Sequence, residues 1–163
     1  MTRLMALDVG EARIGVAVSD ALRFLASPYT TIHVSRDETQ TWATIQQLIA
    51  EIEAEELVIG LPISLDGQIH SQGERILAFT ERLKEHIAIP VRFWDERLST
   101  VEAQRLLAER NQQAKGKRQQ RGSQRHVRSK RRRKGHEIDA LAAAVILQEY
   151  LDAQDHTIEE TKL

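Results

Sequence analysis

The stretch that most constrains this chain is Leu4-Met5-Ala6-Leu7-Asp8-Val9-Gly10, followed at once by Arg13-Ile14-Gly15-Val16-Ala17-Val18-Ser19-Asp20. Leu4 to Leu7 is an apolar run that breaks at Asp8, and Ile14, Val16 and Val18 recur with the period of two that marks a half-buried strand. Together they read as a hairpin closed around Gly10, Glu11 and Ala12. A carboxylate at the end of a buried strand is costly unless a cation, an arginine or backbone donors stand near it. Gly10 leaves the backbone beside Asp8 bare, so that a phosphate or a metal can approach. The plainer reading is that Asp8 only caps a turn.

The hairpin is followed by a third extended stretch opened by Ala26-Ser27-Pro28, where Pro28 suits an edge strand or a strand start. Ser35-Arg36-Asp37-Glu38 then fits a capping box for a helix that turns Trp42, Ile45, Leu48, Ile49 and Ile52 to one side. Leu57-Val58-Ile59-Gly60 reads as a strand covered on both faces, ending in the turn Gly60-Leu61-Pro62. Ser71-Gln72-Gly73-Glu74 offers the cap of a second helix, which buries Ile76, Phe79 and Leu83 and stops before Pro90. Val91 to Trp94 is a strand that delivers Asp95 and Glu96 at its carboxyl end. Ser99 and Glu102 start a third helix with Val101, Leu106 and Leu107 on its apolar side. A last helix runs from His136 to Leu151, with Ile138, Leu141, Ala142, Val145 and Leu151 expected inward, and a polar tail follows. Three strands followed by alternating helix and strand predict an α/β fold: a mixed sheet, its first three strands antiparallel, flanked by helices.

Charge is distributed unevenly. Eleven of the chain's 23 Lys and Arg lie between Lys115 and Lys134 with no acidic residue among them, which leaves 12 against 24 Asp and Glu elsewhere. Any polyanion is therefore expected to enter through this one segment, with a strong dependence on salt. Rich in Gln, Gly and Ser, the segment is expected to be mobile until bound. There is no cysteine among the 163 residues, hence no disulfide framework and no thiolate zinc site. With neither a signal-peptide pattern nor a membrane-length apolar run, the expectation is a cytoplasmic protein with no membrane partner.

Ligand crevices in α/β sheets lie outside the carboxyl ends of the parallel strands, where Asp8 and the Asp95-Glu96 pair both fall. Asp139 opens the last helix, and the small residues Ala140, Ala142, Ala143 and Ala144 let that helix end approach the sheet. Three carboxylates gathered in this way need a cation, and oxygen-only ligands select Mg2+ or Mn2+. Two such ions roughly 4 Å apart can activate a water and stabilise the leaving oxygen of an in-line attack on a phosphodiester. Asp8 would then bridge the ions, with Glu96 and Asp139 on either side. Only one of Asp95 and Glu96 can face the site, and Glu96 is favoured. Arg13 or Arg97 can neutralise the scissile phosphate, although lone arginines as often make surface pairs.

Asp8-Val9-Gly10, Arg13 to Asp20, Ser27-Pro28, Gly60-Leu61-Pro62, Asp66-Gly67, Asp95-Glu96-Arg97-Leu98-Ser99-Thr100 and Ile138 to Ala143 appear in order along the chain. As a set they resemble the YqgF family, relatives of the Holliday-junction resolvases. The resemblance implies a ribonuclease H-like fold and a nuclease acting at the 5′ end of precursor 16S rRNA, with acidic positions at Asp8, Asp95-Glu96 and Asp139. It spans Leu4 to Leu151, so residues 1–152 are expected to form a single domain, with a basic insertion at 111–135 and a disordered tail at 153–163. The insertion is longer and more basic than the family's loop. Lys130, Arg131, Arg132, Arg133 and Lys134 are its candidate nucleic-acid contacts, and Lys134 lies nearest Asp139 in sequence. A solvated basic loop without fixed contacts is the plainer reading of that segment.

RNA is the favoured partner and branched DNA the alternative, while the sequence leaves the oligomeric state open. Two other classes share features of this chain. An actin-like kinase would need a second phosphate loop and an adenosine pocket, and neither is visible. A binding module without catalysis would have little reason to cluster three carboxylates.

Overall fold

The computed structural model describes residues 2–63, 66–95 and 138–154. Among the described residues five strands form one sheet: β1 (Arg3–Val9), β2 (Arg13–Ser19), β3 (Ala26–His33), β4 (Ala54–Leu61) and β5 (Val91–Asp95). Their spatial order is β3-β2-β1-β4-β5. The first three strands pair antiparallel, whereas β1 with β4 and β4 with β5 are parallel. Mixed topology of this kind is what the sequence predicts, and β3, with Pro28, is an edge strand as expected. The apolar run at Leu57 does lie in a strand covered on both faces, but β4 reaches from Ala54 to Leu61, so Gly60 and Leu61 still belong to it.

Alternation along β1 divides the core in two. Met5, Leu7 and Val9 face helices α1 (Glu38–Ile52) and α2 (Ser71–Lys84), together with Ile14, Val16, Leu57, Ile59, Trp42, Ile45, Ile76, Phe79 and Leu83. Leu4 and Ala6 face the opposite way, against a helix over 138–154, here α3. Asp8 is even-numbered like Leu4 and Ala6. The strand's pleat therefore turns its side chain toward the α3 face.

Three local expectations are corrected. The cap of α1 is Asp37, whose Oδ1 accepts from the Thr39 amide at 3.0 Å, while Ser35 Oγ accepts from the Asp37 amide at 3.1 Å. The helix thus begins two residues later than a Ser35 cap would place it. In α2, Ser71 is already helical and His70 occupies the cap position with no side-chain bond to the helix. In α3, Ile138 is 64% exposed and Leu141 and Ala142 are half-buried, while Ala140, Ala143, Ala144, Ile146, Leu147 and Leu151 face the core alongside Val145. The facing sheet surface explains the last case. Leu4, Ala6, Ala17, Ala26 and Val58 leave room for a close approach by an alanine face, and α3 rotates to present one.

The expected helix from Ser99 to Leu107 and the basic insertion lie outside the described residues. Among the described residues, no helix is long and apolar enough to cross a membrane.

Candidate nuclease centre

β1 carries Asp8 near its carboxyl end, paired across the hairpin with Gly15 of β2. The start of α3 lies directly over that pair. A Cβ placed on Gly15 would fall inside the van der Waals radii of the Asp139 carbonyl oxygen and carbon. Only a residue without a side chain lets the helix settle there, and its settling brings Asp139 beside Asp8, 131 positions away in sequence. Gly15 stands in the stretch from Arg13 to Asp20, whose alternating pattern does not by itself reveal this role. An isolated glycine within a period-two strand was the available signal.

The glycine at position 10 makes the tight connection expected of it. A Cβ there would meet the Arg13 carbonyl oxygen at 2.7 Å, while the Gly10 amide donates to that same oxygen at 2.9 Å. Its bareness closes the hairpin tightly. The closure places Arg13 at the mouth of the site, where its Nε lies 3.0 Å from Asp139 Oδ2.

The electrostatics are those of crowded carboxylates. Burial pushes the Asp8 carboxyl above its ordinary value of 3.8, and the negative charge of Asp139 pushes it further in the same direction. Asp139 Oδ2 is shielded from solvent and accepts no hydrogen bond, because the approach of Arg13 is close in distance but not aligned for one. Such an oxygen retains free lone pairs beside a second carboxylate, the donor chemistry that a hard divalent cation requires.

Asp95 is the last residue of β5, paired with Leu61. Trp94 packs against the α3 cluster, edge-on to Tyr150 with ring centroids 5.9 Å apart, and its Nε1 donates to Glu149 Oε2 at 3.2 Å. Alternation therefore turns Asp95 toward the α1 and α2 side, away from the face shared by Asp8 and Asp139. Among the described residues no group of three acidic or histidine side chains converges; Asp8 and Asp139 come together as a pair. Glu96, Arg97 and Lys130 to Lys134 lie outside the described residues.

A family model, RuvX, described as Holliday junction resolvase, matches residues 2–153. The chain belongs to the RuvX family. A relative from Thermoanaerobacter pseudethanolicus, named "Putative pre-16S rRNA nuclease", is 41% identical over 152 residues, covering 93% of this chain and 97% of the relative. Among solved structures, Thermus thermophilus RuvC matches with a TM-score of 0.53 at 13% identity, over 96% of this chain and 98% of RuvC. Fowlpox virus resolvase, solved with Holliday junction DNA, matches with a TM-score of 0.52 at 8% identity, over 94% and 99% of the two chains. Identities this low establish the fold alone. This RuvX-family chain has the ribonuclease H-like fold of the RuvC-type resolvases, as its sequence resemblance implies.

Proposed function

We propose that this chain is a divalent-metal-dependent endonuclease of the cytoplasm that trims the 5′ end of precursor 16S rRNA. The observation that carries the reading is the meeting of Asp8 and Asp139, with a buried carboxylate oxygen left free of hydrogen bonds. Relatives at about 40% identity that bear the pre-16S rRNA nuclease name support RNA as the substrate.

Asp8 and Asp139 fit a hard cation, Mg2+ or Mn2+, and Glu96 is the third ligand of choice. Asp95 turns toward the α1 and α2 side, and only one of the neighbouring pair can face the site, which supports Glu96 over Asp95. When bound, one or two such ions lower the pKa of a water and offset charge on the phosphoryl oxygens, as in two-metal nucleases. The protein's own contribution is preorganisation. The buried strand β1 fixes Asp8, and the α3 start seated on Gly15 fixes Asp139. Arg13, at the mouth, and Arg97 supply positive charge for the phosphate, and Lys130 to Lys134 hold the strand through its backbone.

Branched DNA is the second reading, favoured by the family model's description as Holliday junction resolvase. The experiment offers purified protein a precursor 16S 5′ fragment and a four-way DNA junction, with Mg2+ or Mn2+. Cleavage of the RNA and not of the junction is expected. Symmetric cutting of the junction by a dimer would establish the second reading instead. Binding of both without cleavage of either would leave a non-catalytic module.

A further inference from the structure

The approach of Arg13 to Asp139 is unusual for an ion pair with a structural task. Nε and Oδ2 are 3.0 Å apart, yet no hydrogen bond forms and Oδ2 accepts from nothing else. A pair that fixed Asp139 in place would use an aligned or forked guanidinium contact. Asp139 needs no such help, since its main chain is already seated on Gly15. The Arg13 side chain is 43% exposed and stands at the hairpin's turn, so withdrawal into water costs it little, whereas Asp139, at 24%, is the enclosed partner.

The balance of charge points the same way. Asp8 and Asp139 together carry two negative charges when ionised, and the seat of α3 on Gly15, the partner of Asp8 across the hairpin, holds the two carboxylates together. A single guanidinium, touching only one of them, compensates half. A divalent cation compensates both and takes up the lone pairs of Oδ2 that Arg13 leaves unused.

We infer that Arg13 is an exchangeable counter-ion. It occupies Asp139 while the divalent cation is absent, gives up that carboxylate when the cation binds, and is thereby freed to contact a nucleic-acid phosphate. This rests on the metal-site reading above and adds to it a coupling: loading the cation delivers a second positive group to the substrate side of the site. The two carboxylates act as a switch that Arg13 reports.

The test is Mn2+ binding without nucleic acid, read by the electron paramagnetic resonance of free Mn2+, for the wild type, Arg13→Gln, Arg13→Lys and Asp8→Asn. Loss of a competing surface-type pair makes Arg13→Gln bind Mn2+ roughly two- to fivefold more tightly, while Arg13→Lys stays near the wild type. In the wild type, Mg2+ is expected to shift the Arg13 Nε–H resonance with the same midpoint as Mg2+ binding. Unchanged or weaker Mn2+ binding by Arg13→Gln, with its melting temperature preserved, overturns the inference and makes Arg13 a support for Asp139. Asp8→Asn separates the two claims. If it binds Mn2+ as the wild type does, the metal-site reading falls, and the exchange with it; if it loses Mn2+ while Arg13→Gln shows no gain, only the exchange falls.

Discussion

The carbonyl of Asp139 occupies the space that a side chain at Gly15 would need, so a bare position within β2 is the seat on which α3 rests at Asp139. Main chain meets main chain there. Neither partner can yield by changing a rotamer, which makes the contact far less forgiving than an ordinary core contact.

Gly15→Ala is therefore expected to lift the start of α3 from the sheet. Overpacking of this kind costs about 1–3 kcal/mol, read as a lower melting temperature, and divalent binding weakens because Asp139 moves away from Asp8. The same substitution at Gly67, whose Cβ would meet nothing within 4 Å although its φ is +80°, costs only local backbone strain and leaves metal binding unchanged. Equal Mn2+ affinity in the two variants would show that the seat does not position the site.

Asp8 gives a prediction with a definite sign. Its carboxyl is raised from 3.8, first by burial and then by Asp139, so the folded protein holds this proton more tightly than the unfolded chain does. The folded state then binds more protons between 3.8 and the raised value. Stability from this group is complete below 3.8 and is lost as pH rises through the raised value. Without divalent cations, Asp8→Asn should melt above the wild type at neutral pH, and the gap should close on acidification. Adding Mg2+ should raise the wild-type melting temperature alone, while Asp8→Asn abolishes cleavage. Identical melting of the two proteins at every pH would contradict the burial cost.

Ser19 tests the sheet apart from the site. It is 2% exposed, its Oγ accepts from the Leu4 amide at 2.8 Å and donates to the Asp20 carbonyl at 3.0 Å. Ser19→Ala leaves the buried Leu4 amide without that partner, at a cost of about 1–3 kcal/mol in chemical denaturation. Mn2+ affinity should stay as in the wild type, because Leu4 lies at the opposite end of β1 from Asp8.

How much of this could be read from the sequence depends on the range of the interactions. The hairpin, the edge strand at Pro28 and the apolar faces of α1 and α2 are local patterns of period 2 or 3.6, and they were legible. The phase of α3 was not. Its residues are apolar or small on almost every side, so periodicity alone admits Ile138 or Ala140 as the inward residue, and the shape of the facing sheet decides. The caps failed for a similar reason, since Ser35, Asp37 and Ser71 are all competent cap residues and the choice among them is made by where each helix docks. At the site, the carboxylates at Asp8 and Asp139 could be picked out by residue type, whereas the contacts of Arg13 and Gly15 with Asp139 join distant parts of the chain. They required the fold.

The basic run bears on how substrate arrives. Outside 115–134 the chain has 12 Lys and Arg against 24 Asp and Glu, so the rest of the protein repels a polyanion and binding must draw on this segment. Replacing Lys130, Arg131, Arg132, Arg133 and Lys134 by Gln should weaken binding of single-stranded RNA and flatten the plot of log affinity against log salt. The slope should fall by about 0.7 for each phosphate contact removed. Metal binding, measured without RNA, should not change, since these residues provide no carboxylate. A variant that keeps both affinity and slope would mean that the strand enters over a different surface, for which Arg13 and Arg75, both at the carboxyl end of the sheet, are the next candidates.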